Sequence, residues 1–551
     1  MKSKSIKIGI LIVTSIVYLL GNSTLQAQRV HIIPHPQEII EGQESFTINS
    51  KISIVNSAES NSTAKVLQSH IKKLVGYQIG IIESGKPNQG TINFKLDKNL
   101  AKEAYELIVS KQGIQIIASN NTGWFYGVQS LIQLFPARTS SVEKISSIIV
   151  PGVTIKDAPR FSWRAFMLDE ARHFKGSVQV KLLLDEMAAL KMNVFHWHLV
   201  DDQGWRIEIK KYPLLTQIGS KRKSTQVGTW GSPVQTGEPH AGFYTQTAIK
   251  EIVQYAKERH ITVVPEIEMP GHSSAAIASY SWLGSQKKAI EVPTVFGVLN
   301  DVYDVADPKV YRFLTDVLDE VMTLFPSNVL HIGGDEVTYD QWKSSATVQA
   351  YMKKQKINTP AELQVYFTNS ISEYLQSKGK RMMGWNEILG HSVHDYQQTT
   401  ETKSDQKLSK GTVVQFWIGE EDLITEAVSN GYDVVNSISS STYLDFDYNR
   451  TPLSKAYAFD PIPANLPAQY HNKVLGTGCQ MWSEWIPTNG QMHFMVFPRI
   501  AAYAEVGWTE KRNKNFETFK ESLKKLQKRW EEKGIYYAPD TAVEKKADDI
   551  K

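Results

Sequence analysis

Residues 328–336 read NVLHIGGDE, a short apolar run that ends in two glycines and two adjacent acids. Neighbouring side chains on a strand point to opposite faces, and adjacent carboxylates repel, so Asp335 and Glu336 do not suit the interior of a regular strand. A strand end followed by a solvated turn is the plain reading of such a pair. The same pattern, however, recurs along the chain. WRAFMLD (163–169), MNVFHWHLV (192–200), ITVVPEIE (261–268), KRMMGWNE (380–387), GTVVQFW (411–417), YDVVNSI (432–438) and VLGTGCQMW (474–482) are also short apolar runs. Helical patterns fall between most of them, among them SVQVKLLLDEMAALK (177–191), TQTAIKEIVQYAKERH (245–260) and PAELQVYFTNSISEYLQSK (360–378). Runs apolar on both faces and joined by helical crossovers imply a parallel sheet. Eight such units over about 350 residues predict an α/β fold, a (β/α)8 TIM barrel, with a doubly wound sheet as the alternative.

Outward from the barrel, residues 28–155 hold alternating strand-like runs (SFTINSKISIVN, TINFKLD, AYELIVSKQGIQIIAS) and two helical patterns (STAKVLQSHIKKLVG, GWFYGVQSLIQLF), which predict a small α+β domain. The expected division is 1–27 signal peptide, 28–155 N-terminal domain, 156–512 barrel, and 513–551 a helix (NFETFKESLKKLQKRWEEKG) with a charged, disordered tail, AVEKKADDIK. Lys2, Lys4 and Lys7 precede a 13-residue apolar stretch, Ile8–Leu20, too short for a comfortable membrane span, and Ala27 offers a cleavage point. The alternative is an uncleaved anchor. The expectation is export to a bacterial periplasm or beyond, with no membrane association after cleavage.

Charge excludes several partner classes. Without residues 1–27 the chain keeps 58 basic against 57 acidic residues, so nothing attracts nucleic acid or an anionic membrane. Cys479 is the only cysteine, so no disulfide framework is expected. Oligomeric state is not legible.

In such barrels chemistry sits at the C-terminal ends of the strands. Here those ends reach Asp169 and Arg172; Asp201 and Asp202; Glu268 and His272; Asp335 and Glu336; Trp385 and Glu387; Trp417; Tyr443 and Asp445; Trp482 and Glu484. A rim rich in carboxylates and tryptophans fits a sugar, because indole faces stack on its C–H faces and carboxylates accept from its hydroxyls. His196 and His198 have a metal-like spacing and share one strand face, but no obvious further ligands accompany them, so hydrogen-bonded barrel histidines are the expectation.

The motifs PRFSWRAFMLDEARHF (159–174), NVFHWHLVDDQGWRIEI (193–209), TVVPEIEMPGH (262–272), HIGGDEV (331–337), GWNEI (384–388) and MWSEW (481–485) resemble the β-N-acetylhexosaminidases of glycoside hydrolase family 20, from about residue 28 to 535. The resemblance implies an exo-acting retaining hydrolase in which the 2-acetamido oxygen of the substrate is the nucleophile, giving an oxazolinium intermediate. It implies Glu336 as general acid/base with a raised pKa. Asp335 would orient the acetamido group, and Tyr443 would bond its carbonyl. Asp201 and His272 would support the acid, with Glu268 alongside. Trp385, Trp417 and Trp482 would wall the pocket, and Arg172, Asp445 and Glu484 would hold the outer hydroxyls. The partner implied is a glycan with a terminal β-linked N-acetylhexosamine; no metal or other cofactor is implied. Alternatives are a disaccharide-releasing relative, a non-catalytic glycan-binding protein, and a metal-dependent barrel hydrolase.

Overall fold

The computed structural model describes residues 30–83, 90–137, 144–391, 393–394 and 406–544; the expected leader and the last seven residues of the tail lie outside the described residues. Residues 38–157 build a seven-stranded sheet of β1 (Glu38–Ile48), β2 (Ser53–Asn56), β3 (Gly80–Glu83), β4 (Thr91–Leu96), β5 (Tyr105–Ser110), β6 (Gly113–Ala118) and β7 (Ile148–Asp157), in the order β1-β7-β5-β6-β4-β2-β3. Alternation places Tyr105, Leu107 and Val109 of β5 inward, the period that a half-buried strand requires. The helices Asn61–Val75 and Asn121–Leu134 pack against this sheet. The second begins where Asn120 accepts from the Thr122 and Gly123 amides, a side-chain N-cap. The sheet ends at Asp157, two residues past the boundary read from the sequence.

Eight strands then close a parallel barrel: β8 (Trp163–Asp169), β9 (Val194–His198), β14 (Thr262–Glu266), β15 (Val329–His331), β16 (Arg381–Trp385), β17 (Val413–Phe416), β18 (Asp433–Asn436) and β19 (Val474–Met481). Between β9 and β14 lie two small antiparallel ribbons, β10 (Val200–Asp201) with β11 (Gly204–Trp205), and β12 (Lys221–Arg222) with β13 (His240–Ala241). Each barrel strand falls inside one of the eight apolar runs. The doubly wound alternative is excluded, because β19 pairs with β8 and closes the sheet on itself.

The barrel interior is layered. Ala165, Val194, Val264, Val329, Met383, Val413 and Val435, one from each of seven strands, form an apolar plug with Leu475 of the eighth packed against it. Two residues further along the same strands come Met167, His196, Glu266, His331, Trp385 and Gln415, all buried. The period of two carries one face of each strand from an apolar plug to a polar floor.

A buried polar seam joins the two domains. Asp157 Oδ2 accepts from Tyr105 Oη at 2.6 Å and Lys191 Nζ at 3.1 Å, and its Oδ1 accepts from Trp508 Nε1 at 2.9 Å. The helix Phe516–Glu532 spans both bodies: Trp530 Nε1 donates to Glu186 of the barrel, and Arg529 donates to the Ile132 and Phe135 carbonyls of the first domain. The expected disorder of the tail does not hold for its described residues, 542–544. Val543 is buried, and Glu544 accepts from the Ser454 amide and hydroxyl, which anchors the chain to that point.

Candidate active site

The fourth run explains its own acids. Its strand stops at His331, and Gly333 (φ 67°) and Gly334 (φ 90°) then turn the backbone through conformations suited to glycine. Glu336 itself has φ 50°, uncommon for a residue with a side chain. Past this turn both carboxylates lie near His272, whose Nε2 is 3.8 Å from Asp335 Oδ2. Glu336 Oε2 lies 3.4 Å from His272 Nε2. Asp335 Oδ1 is buried with no hydrogen-bond partner among the described residues.

Behind Glu336 stands a row of charged side chains. His272 Nδ1 lies 3.0 Å from Asp202 Oδ2 and 3.3 Å from Asp201 Oδ1. Asp201 Oδ2 pairs with Arg172 Nη2 at 2.7 Å and with His198 Nε2 at 3.2 Å. Asp169 is the bracket of this wall. It accepts from the Ala171 and Arg172 amides and, through Oδ2, from the amide and hydroxyl of Ser483. That contact fixes the loop after the first barrel strand to the loop after the last, so Arg172 and Glu484 meet, with Nη1 and Oε1 3.8 Å apart.

The opposite wall is aromatic. Trp385, Tyr443 and Trp482 cluster with Met167, separate from the main core, and Trp417 and Phe446 pack against them. Trp417 stacks on Tyr443 with ring centroids 6.0 Å apart and planes 6° from parallel. The Trp385 indole N–H donates to Glu266 at 2.8 Å, and the Trp417 indole N–H donates to Glu387 at 2.9 Å. Asp445 lies within the electrostatic reach of Glu484, and its Oδ1 is buried without a partner among the described residues.

Burial and charge set the protonation states, and one expectation is corrected here. Burial favours neutral Glu336, but the hydrogen bond and charge of His272 outweigh it and hold Glu336 below the usual glutamate range. Asp335 is the raised member of the pair: burial, with repulsion from Glu387 and Glu336, pushes it to about 8 against the attraction of His272. Burial would keep His272 neutral, yet Asp201, Asp202 and Glu336 raise it well above the ordinary histidine value. Asp201 is held low by Arg172 and His272 despite its burial. Burial, with His272 beside Glu336, therefore favours a proton on Asp335 over one on Glu336.

All twelve residues singled out from the sequence converge on this one mouth, Glu268 from underneath. Both Glu268 oxygens are buried without a hydrogen-bond partner among the described residues, and burial with the Asp335 charge raises its pKa well above the glutamate value. Its extra methylene, relative to aspartate, carries the carboxyl over Gly333. His196 and His198 are buried against the Glu266 carboxylate, at 2.9 and 2.6 Å. Three groups (His196, Glu266, His331; His198, Glu266, Glu268; Asp201, Asp202, His272) place three nitrogen or oxygen atoms within 4.8 Å of one another. Glu266, His331 and Glu268 thus stand beside the two histidines, so ligand-type side chains accompany them where the sequence showed none. Glu266, His331, Asn386 and His394 were not anticipated. Glu266 and His331 were signalled by the period of two, since they share a strand face with the plug residues Val264 and Val329. Asn386 accepts from the Trp417 amide at 2.9 Å, and His394 lies 2.8 Å from Glu387.

Comparison with known proteins identifies the family and the fold. The family described as glycosyl hydrolase family 20, catalytic domain, matches residues 161–511, and its domain 2 matches residues 29–158. A beta-hexosaminidase of Porphyromonas gingivalis is 38% identical over 523 residues, covering 92% of this chain; the chain spans 64% of that relative's length. Among solved structures, the exo beta-N-acetylglucosaminidase of Vibrio harveyi in complex with N-acetylglucosamine superposes with a TM-score of 0.78 at 31% identity, covering 92% of this chain and 78% of that one. The beta-N-acetylhexosaminidase of Bacteroides fragilis gives the same TM-score and identity, covering 92% and 97%.

Proposed function

The chain belongs to glycosyl hydrolase family 20, and from that premise we propose that it is an exo-acting, retaining β-N-acetylhexosaminidase, which removes terminal β-linked N-acetylglucosamine or N-acetylgalactosamine. One observation carries the reading. Asp335 carries a buried oxygen with no hydrogen-bond partner among the described residues, within electrostatic reach of Tyr443 in the aromatic cluster, while its neighbour Glu336 lies 3.4 Å from His272. A carboxylate without a hydrogen-bond donor is costly to bury. The N–H of a 2-acetamido group supplies one.

In the proposed reaction the acetamido carbonyl oxygen forms a bond to the anomeric carbon as the bond to the leaving oxygen breaks. Glu336 gives its proton to that oxygen. Ionised Asp335 holds the acetamido N–H and offsets the positive charge of the oxazolinium ion. Water then adds to the anomeric carbon from the leaving-group side as its bond to the acetamido oxygen breaks and the acetamide re-forms; Glu336 takes the water's proton, and the configuration is retained. The acid must be protonated when substrate is bound, yet in the free protein a proton is favoured on Asp335 over Glu336. Docking the N–H against Asp335 favours its ionised form, and covering Glu336 with the leaving sugar removes solvent from it, so one proton passes between neighbours. Tyr443 supports the reading as the donor for the acetamido carbonyl. Trp385, Trp417 and Trp482 give it an apolar sleeve, and Arg172, Asp445 and Glu484 offer partners for the outer hydroxyls.

The test compares 4-nitrophenyl β-glycosides of N-acetylglucosamine and glucose, with and without chelator. Cleavage of the acetamido sugar alone, unchanged by chelator, is expected. Equal cleavage of both sugars would mean a nucleophile on the protein. The basic and apolar segment at residues 2–20 supports export, which N-terminal sequencing of the protein recovered from a periplasmic fraction would test.

A further inference from the structure

We propose that Glu266 and His198 are positioning residues for the catalytic acid, forming the inner half of a chain of side-chain contacts that runs from the pocket floor at Trp385 to Glu336. The proposal rests on the assignment of Glu336 as the acid. The contacts are continuous. Glu266 Oε1 accepts from Trp385 Nε1 at 2.8 Å and lies 2.9 Å from His331 Nδ1. Glu266 Oε2 lies 2.6 Å from His198 Nδ1. His198 Nε2 lies 3.2 Å from Asp201 Oδ2, and the other oxygen of Asp201 faces His272, which faces Glu336.

An imidazole with a carboxylate on each nitrogen donates from both, so it carries the cationic form. Burial opposes this, but Glu266 and Asp201 raise His198 to about 10. The charged and titratable groups around it are Asp169 on β8, His196 on its own strand, Glu266 and Glu268 on and just after β14, and Asp201 with its partner Arg172. His198 therefore supplies a fixed positive charge that keeps Asp201 ionised and aimed at His272. Through Glu266 the same charge is tied to the indole that floors the pocket. Outer partners of metal-ligating histidines fix the orientation of the groups they hold, and losing one typically costs about 10–100-fold; a loss of the same order is expected for this histidine–carboxylate set.

The experiment is the pH profile of kcat/KM for His198→Asn on chitobiose, whose departing sugar oxygen needs the proton of Glu336, with folding followed by circular dichroism. Removing a buried cation favours protonated acids. Both limbs of the profile should move to higher pH, kcat should fall about 10–100-fold, and KM should change little. A profile that superimposes on the wild type at a merely lower rate overturns the proposal, because loss of packing alone moves no limb. If His198→Asn does not fold, Glu266→Gln removes an anion from the same chain and should move the limbs the other way; unmoved limbs overturn it equally. Wild-type protein without activity on any acetamido glycoside sinks the assignment of Glu336. The relay is then judged on 15N-histidine spectra, in which imidazolium signals must persist at pH 8, and neutral histidines throughout refute it.

Discussion

Glu268 fills the space that a side chain at position 333 would need: a Cβ on Gly333 would lie 1.6 Å from Glu268 Oε2 and 2.1 Å from its Cδ. Gly333 also has φ 67°, which costs a residue with a Cβ about 1–2 kcal/mol. Gly333→Ala should therefore lower stability by several kcal/mol and abolish most activity, since the same turn aims Asp335 and Glu336. The double variant with Glu268→Ala should regain part of the melting temperature, because only the overlap is relieved. Equal melting temperatures for single and double variants would show that the two positions do not couple.

The acidic pair makes a prediction about pH. Productive free protein needs one proton on Asp335 and Glu336 together, and the last of these leaves with a pKa of about 8, set by the burial of Asp335. Because kcat/KM reports the free protein, its alkaline limb should fall near pH 8 and should vanish or move in Asp335→Asn. An alkaline limb unchanged in that variant would assign the proton elsewhere.

Leaving-group dependence separates the roles of the two acids. Glu336→Gln should lose orders of magnitude on an oligosaccharide, whose departing oxygen needs a proton. It should lose much less on a 4-nitrophenyl glycoside, whose phenolate departs without one. Asp335→Asn should lose similarly on both, because the charge it stabilises is the same. Near-wild-type turnover of chitobiose by Glu336→Gln would refute its role.

At the seam between the domains, Lys191 and Asp157 are both fully buried and 3.1 Å apart. Removing one member of such a pair leaves an uncompensated charge, at a cost of about 3–5 kcal/mol. Lys191→Met should thus lower the melting temperature sharply, and Asp157→Asn in the same chain should restore part of it. The measurement is thermal unfolding of all three variants, and simple additivity would rule out the coupling.

Stability itself should depend on pH through Glu505. Burial raises this acid from 4.5 to about 8, where it accepts from the His35 amide between the domains. A raised carboxyl pKa stabilises the fold below about pH 4.5 and loses that contribution as pH rises through 8. Glu505→Gln should be more stable than the wild type at pH 9, by on the order of 3 kcal/mol, and nearly equal to it at pH 5. A constant difference across that range would count against the assignment.

The barrel was legible because burial on both faces turns each strand into a continuous apolar run, and periodicity reports burial directly. The strand ends were harder to place. NVLHIGGDE reads as nine residues of strand, yet only Val329–His331 pair as β15, since the glycines that build the site also stop the ladder. Single residue types on a rim could be nominated from the sequence, but their protonation could not. His272 comes 64 positions before Glu336 in the chain, and only the fold presses it against the acid and so favours a proton on Asp335 over one on Glu336. Glu266 was passed over because a charged residue within an apolar strand gives no local sign of the three histidines that surround it.

The bracket made by Asp169 and Ser483 joins residues 314 positions apart. A ribosome delivers the acids on β15 and the walls on β16 to β18 well before Trp482 and Glu484 emerge, and until then Arg172 has no opposite wall. A chain interrupted between residues 337 and 480 would hold its acid pair and still lack the Ser483 contact that brings Glu484 to Arg172. The wall opposite Arg172 is thus completed only by the last strand of the barrel to be made.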